Sequence, residues 1–310
     1  MKAKLTIATR DSALALWQAH WVRDQVMALH PSVTVELLKL KTQGDKILDT
    51  PLAKIGGKGL FVKELEVALL EGQADLAVHS LKDVPAELPE GLTLSVITKR
   101  ESPDDAFVSN RYPNFASLPP GAKVGTSSLR RSAQLKRARP DLVFESLRGN
   151  VNTRLRKLDE GLYDCIILAA AGLIRLGMEE RIAERLDHGL CLPSLCQGIV
   201  GIETRVGDQE TGFYLAGLQD GPTDLVARAE RALLQRLNGG CQVPFAGQAQ
   251  LEGNQMQMEA LVASPEGDRL IRLQDQGPAS EPEALGRRLA ERLLASGARE
   301  ILGALGIVTH

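Results

Sequence analysis

The chain has 310 residues, 44% of them hydrophobic, which is ample for a sizeable core and above the usual length of one domain. Lys and Arg number 37 against 39 Asp and Glu, a net charge of −2, so no global field draws the protein to nucleic acid or to a membrane. No apolar run approaches the length of a membrane span. The opening MKAKLTIATRDS goes straight into strand-like alternation without an apolar h-region, so a cytoplasmic location and reduced thiols are expected.

In chain order, strands are expected at 4–9, 34–40, 75–80, 92–98, 105–110, 123–126, 142–146, 164–169 and 199–204. Between the first two lies a helix from about Ser12 to Leu29. Ala15, Ala19, Val22, Val26 and Leu29 fall on one of its faces, Asp11 and Ser12 are N-cap candidates, and His30-Pro31 stops it. A second helix is expected from about Leu60 to Glu71, with Gly72 as its stop. Such alternation argues for parallel α/β layers. The stretch 45–59, DKILDTPLAKIGGKG, mixes charge, Pro and glycines without periodicity and reads as a mobile loop. The charged joint KRESPDD and the later CLPSLCQG read as domain boundaries.

After Pro222 the pattern changes. A helix from about Thr223 to Leu237 aligns Val226, Ala229, Leu233 and Leu237. Short strands follow (FAGQAQLE, QMQMEALVAS, RLIRLQDQ), then helices near 281–295 and 297–306, a small α+β unit with an antiparallel sheet.

One arrangement recurs at strand ends: a small hydroxyl residue, a cation and the start of a helix. It occurs at Thr9, Arg10 and Ser12; at Thr126, Ser127, Ser128, Arg130 and Arg131; and more loosely at Ser146, Arg148 and Arg154. From Lys123 to Arg156 there are nine Lys or Arg and two acids, Asp141 and Glu145. Open α/β sheets bind ligands beyond the carboxyl ends of their strands, helix N-termini favour anions, and arginine offers a fork matched to carboxylate or phosphate. Any one of these sites, taken alone, reads better as a helix cap with an exposed arginine. Three together, in two α/β halves, favour a shared polyanion cleft. GGKGLF lacks the phosphate-loop spacing, so a nucleotide site is not expected.

AVHSLKDVP ends an apolar strand with Ser80, Lys82 and Asp83. An acid there is ordinarily a cap or an ion-pair partner; in a basic cleft it is also the carboxylate able to stabilise a cation or move protons. His79 reads as a packing residue, and Arg175, taken alone, as a surface helix residue. Cys165 reads as a buried small hydrophobe. Cys191 and Cys196 have no metal-site spacing, and no metal site is expected. Cys241, in NGGCQVP, stands alone on a glycine-rich loop.

The motifs IATRDSALALWQA, TQGD, GGKGLFVKELE, AVHSLKDVP, GTSSLRR, SLRGNVNTRL and ERALLQRLNGGCQVPFAG, in this order, closely resemble those of the hydroxymethylbilane synthase (porphobilinogen deaminase) family over essentially the whole chain. The resemblance implies a transferase that joins four porphobilinogen molecules head to tail and releases ammonia, in tetrapyrrole biosynthesis. It implies a dipyrromethane cofactor tethered to Cys241 by a thioether. Asp83 matches the family's catalytic aspartate. Cofactor binders match Ser80, Lys82, Asp83, Thr126, Ser127, Ser128, Arg130 and Arg131; substrate binders match Arg10, Ser12, Gln18, Arg148, Arg154, Arg175 and Gln197; Lys54 and Lys58 match lysines of the mobile loop. The implied fold has two periplasmic-binding-protein-like doubly wound α/β domains with crossing hinges (1–99 with 199–219, and 104–194) and a C-terminal α+β domain with a three-stranded antiparallel sheet (222–310). A cytoplasmic monomer with porphobilinogen as its small-molecule partner is expected.

The resemblance fits the residues, because a growing pyrrole chain is a polycarboxylate and the cleft is basic. One run departs from the family. LPSLCQG carries Cys196 where a glycine is usual, which bears on backbone geometry beside Gln197. Two other readings compete: a non-catalytic two-lobed binder of polycarboxylates or oxyanions, and a nucleic-acid binder using residues 123–156. The second is disfavoured by an aromatic content of 4%.

Overall fold

The computed structural model describes residues 2–46, 59–238 and 244–309. Lys54, Lys58, Cys241 and most of the 45–59 run lie outside the described residues.

The first sheet contains β1 (Lys4–Arg10), β2 (Thr34–Leu40), β3 (Leu76–Ser80), β4 (Leu92–Ile97) and β10 (Val200–Arg205), in the order β2-β1-β3-β10-β4. The second contains β5 (Asp105–Val108), β6 (Lys123–Gly125), β7 (Val143–Glu145), β8 (Cys165–Ala169) and β9 (Glu184–Arg185), in the order β7-β6-β8-β5-β9. Together these make two mixed α/β lobes. A third, antiparallel sheet of β11 (Phe245–Glu252), β12 (Gln255–Ala263) and β13 (Leu270–Pro278) packs against the helices Gly221–Arg236 and Pro282–Leu293.

The alternation of strand and helix leads one to expect parallel layers; β1 pairs parallel with β2 and β3, and β6 with β7 and β8, but each sheet also takes in one strand that runs the other way. β10 runs antiparallel to β3 and β4, and β5 runs antiparallel to β8 and β9. The reason is where the chain enters. β5 is the first strand after the chain leaves the first lobe, β10 is the first after it returns, and each comes from the opposite end. β9 and the helix Gln209–Leu215 have no periodic signal long enough to reveal them in the sequence.

Local chemistry explains the helix starts. The Ser12 hydroxyl accepts from the Ala15 N–H and opens Ala13–Leu29, whose inward face is Ala15, Gln18, Ala19, Val22 and Val26, while Leu29 is exposed. Ser128 caps Leu129–Ala138 through the Arg131 N–H, and Asn150 caps Val151–Asp159 through the Thr153 N–H. Asp220 caps Gly221–Arg236, with Pro222 in its first turn. Val226, Ala229, Leu233 and Leu237 are buried in the third core, as their spacing predicts.

The two crossing segments lie side by side. Glu101 N donates to Gly198 O at 3.0 Å and Thr98 N to Val200 O at 3.1 Å. Gly198 has φ +87°, and a Cβ there would stand 2.3 Å from the Glu101 carbonyl oxygen. Cys196 is held at φ +60°, in the left-handed region that glycine adopts freely. Its thiol is buried with Val62, Leu81, Val84, Ile97, Ile199 and Ala227. The backbone therefore holds a residue with a Cβ in a conformation that glycine adopts at lower cost. Glu230, fully buried on the helix Gly221–Arg236, receives the Cys196 N–H, the Ala249 N–H and the Arg100 guanidinium, so both crossings are tied to the third domain.

Candidate active site

The carboxyl ends of β1, β3, β6, β7 and β8 deliver the sequence's candidates. β3 ends at Ser80 and passes into a single turn, Leu81–Asp83. The Asp83 carboxylate accepts no hydrogen bond from a described residue. Its charge nevertheless acts on Lys82 and, across the cleft, on Arg154. The structure thus brings together Lys82 and Asp83 from the first lobe and Arg130, Arg131, Arg148 and Arg154 from the second.

Lys82 Nζ donates to Gln197 Oε1 at 3.1 Å. Gln197 Nε2 donates to Asp105 Oδ1 at 3.0 Å and to Pro103 O at 2.6 Å. Gln197 makes all these bonds directly beside Cys196. Asp105 Oδ2 accepts from Arg130 Nη1 at 2.6 Å, and Oδ1 accepts from Arg131 Nη2 at 2.7 Å. Arg130 also donates to Leu192 O and Arg131 to Ile167 O. A guanidinium carries more N–H groups than these bonds use, so both arginines keep donors for a ligand in orientations that Asp105 sets.

The electrostatics follow from crowded positive charge. Burial and then Arg131 push Lys82 down to about 8, with Asp83 and Asp105 opposing and Arg130 adding to the shift. Burial, Arg131 and Arg148 push Arg154 down to about 10, with Asp83 opposing. Burial lowers Arg148 and Arg175 as well. For Asp105, burial works upward, but Arg130 and Arg131 outweigh it and hold the carboxyl far below the usual range. Lys82, Arg131, Arg148 and Arg154 repel one another around Asp83 and Asp105, an arrangement suited to a ligand bearing several carboxylates.

Other candidates are placed differently. Arg10 pairs with Asp45, Nε to Oδ2 at 3.1 Å, and lies 4.4 Å from the Phe61 ring centroid. Ser12 and Ser128 are occupied as helix caps. The Thr126 hydroxyl accepts from Ser128 N at 3.2 Å, and Ser127 Oγ donates to Leu147 O at 2.8 Å. Gln18 and Ser80 bond to each other at 3.0 Å. Arg154 Nε donates to Gly149 O at 2.8 Å. Arg175 is not a free surface residue: its Nη2 donates to the hinge carbonyl of Gly198 at 2.7 Å, and its Cζ stands 5.8 Å from the Trp17 ring centroid of the first lobe.

Sequence reasoning missed Asp105, Asp45, Phe61 and Glu230. Asp105 did leave a signal: an acid opening the apolar run DAFV will be buried, and a buried acid requires a cation. His79, read as a packing residue, is buried and bonds Glu203 at 2.9 Å beneath the strand that ends at Ser80. The free thiols Cys165, Cys191 and Cys196 are all buried. Among the described residues, no cluster of three or more His, Cys, Asp or Glu is placed to hold a metal ion.

Comparison with known proteins settles what this cleft belongs to. Residues 5–212 match the family model "Porphobilinogen deaminase, dipyromethane cofactor binding domain", and residues 225–295 match "Porphobilinogen deaminase, C-terminal domain". The chain belongs to the porphobilinogen deaminase family. Its activity is that of a hydroxymethylbilane synthase, a transferase of tetrapyrrole biosynthesis that condenses porphobilinogen and uses a dipyrromethane cofactor. This decides between the enzyme and the non-catalytic two-lobed binder. Among solved structures, the chain is similar to the methionine-binding protein MetQ (14% identity, 70% of this chain and 89% of that one, TM-score 0.45). It is also similar to a periplasmic substrate-binding protein of an ABC transporter from Coxiella burnetii (14% identity, 70% and 92%, TM-score 0.44). Among the described residues no helix is long and apolar enough to cross a membrane.

Proposed function

We propose that Asp83 is the catalytic carboxylate of this hydroxymethylbilane synthase, and that the surrounding cations hold the carboxylates of substrate and growing chain. The observation that supports this most directly is the placement of Asp83, without a hydrogen bond from any described residue, in reach of Lys82 and of Arg154 on the opposite lobe. Ammonia leaving porphobilinogen yields an electrophilic, cationic pyrrole. A carboxylate beside the pyrrole N–H stabilises that cation and its attack by the neighbouring ring, then helps remove the proton. Lys82, Arg148 and Arg154 neutralise acetate and propionate groups and orient the reacting ring.

The donors present suit a dipyrromethane, whose rings bear carboxylates: Ser80, Lys82, Thr126, Ser127, Ser128, Arg130 and Arg131 would hold it, with Cys241 as the covalent attachment. When bound, it supplies the nucleophilic ring to which the first substrate is joined. Arg10, Ser12, Gln18, Arg148, Arg154, Arg175 and Gln197 would serve the substrate, and Lys54 and Lys58 a loop over it. Two α/β domains (1–99 with 199–219, and 104–194), a third from 222 to 310, and a cytoplasmic monomer complete this reading.

Two measurements test it. Intact mass is expected above that of the polypeptide, with the excess lost in Cys241→Ser. Asp83→Ala is expected to cut ammonia and porphyrin formation by about 10²–10³-fold with little change in unfolding temperature. Near-normal turnover in Asp83→Ala rules out the catalytic assignment.

A further inference from the structure

Asp105 holds a position that the reaction itself does not require. It opens β5, the first strand beyond the crossing from the first lobe, and is fully buried. A lone buried carboxylate is costly, and this one faces cations from a single helix, Leu129–Ala138. Oδ1 accepts from Arg130 Nη2 (3.1 Å), Arg131 Nε (2.9 Å), Arg131 Nη2 (2.7 Å) and Gln197 Nε2 (3.0 Å). Oδ2 accepts from Arg130 Nη1 (2.6 Å) and the Cys191 thiol (3.3 Å). Gln197 lies on the returning crossing, and its other amide atom takes the Lys82 ammonium at 3.1 Å. An amide has one accepting and one donating end, so its orientation is fixed by having a cation on one side and a carboxylate on the other.

We propose that Asp105 is a positioning residue that joins the two lobes across the cleft: it fixes Arg130 and Arg131 on the second lobe and, through Gln197, the ammonium of Lys82 beside Asp83 on the first. The connection uses both crossings, Asp105 following one and Gln197 lying in the other. Relative movement of the lobes must therefore keep this link or break it at Lys82–Gln197, the contact between first-lobe and crossing side chains. Charge supports the same role. Lys82 faces Arg130 and Arg131, which disfavour its ammonium, and Asp83 and Asp105, which favour it. Without Asp105, the two guanidiniums would act on Lys82 uncompensated from their own lobe.

The proposal rests on the reading of Asp83 and Lys82 as the reacting end of the cleft. The test is the pH dependence of kcat and of kcat/KM in the cofactor-loaded enzyme, for wild type, Asp105→Asn and Gln197→Leu. Asp105→Asn keeps the side-chain shape and removes the charge; Gln197→Leu leaves the Asp105–arginine pairing and removes the amide's bonds to Lys82, Asp105 and Pro103. Both are expected to move the alkaline limb, set by Lys82, downward by about half a pH unit or more, and to lower kcat about tenfold at neutral pH. Should Asp105→Asn fail to fold, Gln197→Leu decides alone. Limbs superimposable on wild type overturn the proposal, leaving Asp105 a counter-ion for two arginines and nothing more. A failure of the underlying reading looks different, because Asp83→Ala would then retain turnover.

Discussion

Arg100 and Glu230 form a buried ion pair, Nη1 to Oε1 at 2.7 Å, between the first crossing segment and the long helix of the third domain. Arg100 Nε also donates to Gln197 O at 2.8 Å. The carboxylate of Glu230 meets two backbone N–H groups as well, those of Cys196 and Ala249. Removing it leaves a buried cation and two buried donors unpaired. Glu230→Leu is therefore expected to destabilise the protein by about 3–5 kcal/mol, read as a large fall in the thermal unfolding temperature. Adding Arg100→Met to that variant should recover only part of the loss, since the two N–H groups remain unpaired. Full recovery in the double variant would mean that the ion pair alone, and not the hub, carries the stability.

Lys82 titrates within reach of ordinary assays. Its ammonium is present below about 8 and is lost as pH rises through that value. Carboxylate binding, and with it turnover, should then decline on the alkaline side with a midpoint near 8. Lys82→Arg keeps the charge far higher, so the decline should shift upward beyond the range of the native limb. An unchanged limb in Lys82→Arg would assign the titration to another group.

Glu66 gives a second pH dependence, this one in stability. Burial, then the nearby Glu203, raise its carboxyl from 4.5 to about 7, with His79 and Lys63 opposing. Below about 4.5 the group is protonated whether folded or unfolded and costs nothing. Between 4.5 and 7 the folded state holds a proton that the unfolded state releases, so stability falls as pH rises, and above 7 the full cost persists. Glu66→Gln should match wild type at pH 4 and exceed it at pH 8 by roughly 1–3 kcal/mol. Parallel unfolding-temperature curves for the two proteins across that range would refute the assignment.

Gly198 leaves no room for a side chain, with φ +87° and the Glu101 carbonyl oxygen 2.3 Å from where a Cβ would sit. Gly198→Ala is expected to cost more than about 2 kcal/mol and to weaken turnover, because the same backbone carries Gln197 and receives Arg175. Cys196→Gly should change stability by less than about 1 kcal/mol: relief of the left-handed φ offsets the loss of a buried thiol. Thermal unfolding of the two variants, measured side by side, separates these cases.

Much of the cleft could be read from the chain because its chemistry is local. A hydroxyl, an arginine and a helix start at a strand end are neighbours in sequence, and the caps formed by Ser12 and Ser128 are set within a few residues. KRESPDD and CLPSLCQG read as joints from their composition alone. What was not legible depends on distant partners. Nothing within 105–108 or 200–205 specifies that these strands run against their neighbours, since that follows from which end of the lobe the returning chain enters. Asp105 and Glu230 acquire their roles from Arg130, Arg131, Gln197 and Arg100, all reached through folding. Arg175 looked like a surface residue for the same reason, as its carbonyl partner lies on the opposite crossing.

The place of β10 between β3 and β4 has a consequence for synthesis. A ribosome delivers residues 1–99 first, yet those residues supply a sheet with its inner strand missing, and the gap is filled only by residues 200–205. The second sheet, by contrast, is drawn wholly from residues 105–185. The later segment can thus complete its hydrogen-bonded ladder on the emerging chain while the earlier one waits, reversing the usual N-to-C order of maturation. A gene fragment ending near residue 100 should accordingly yield insoluble protein, whereas one spanning the second lobe has every strand it needs.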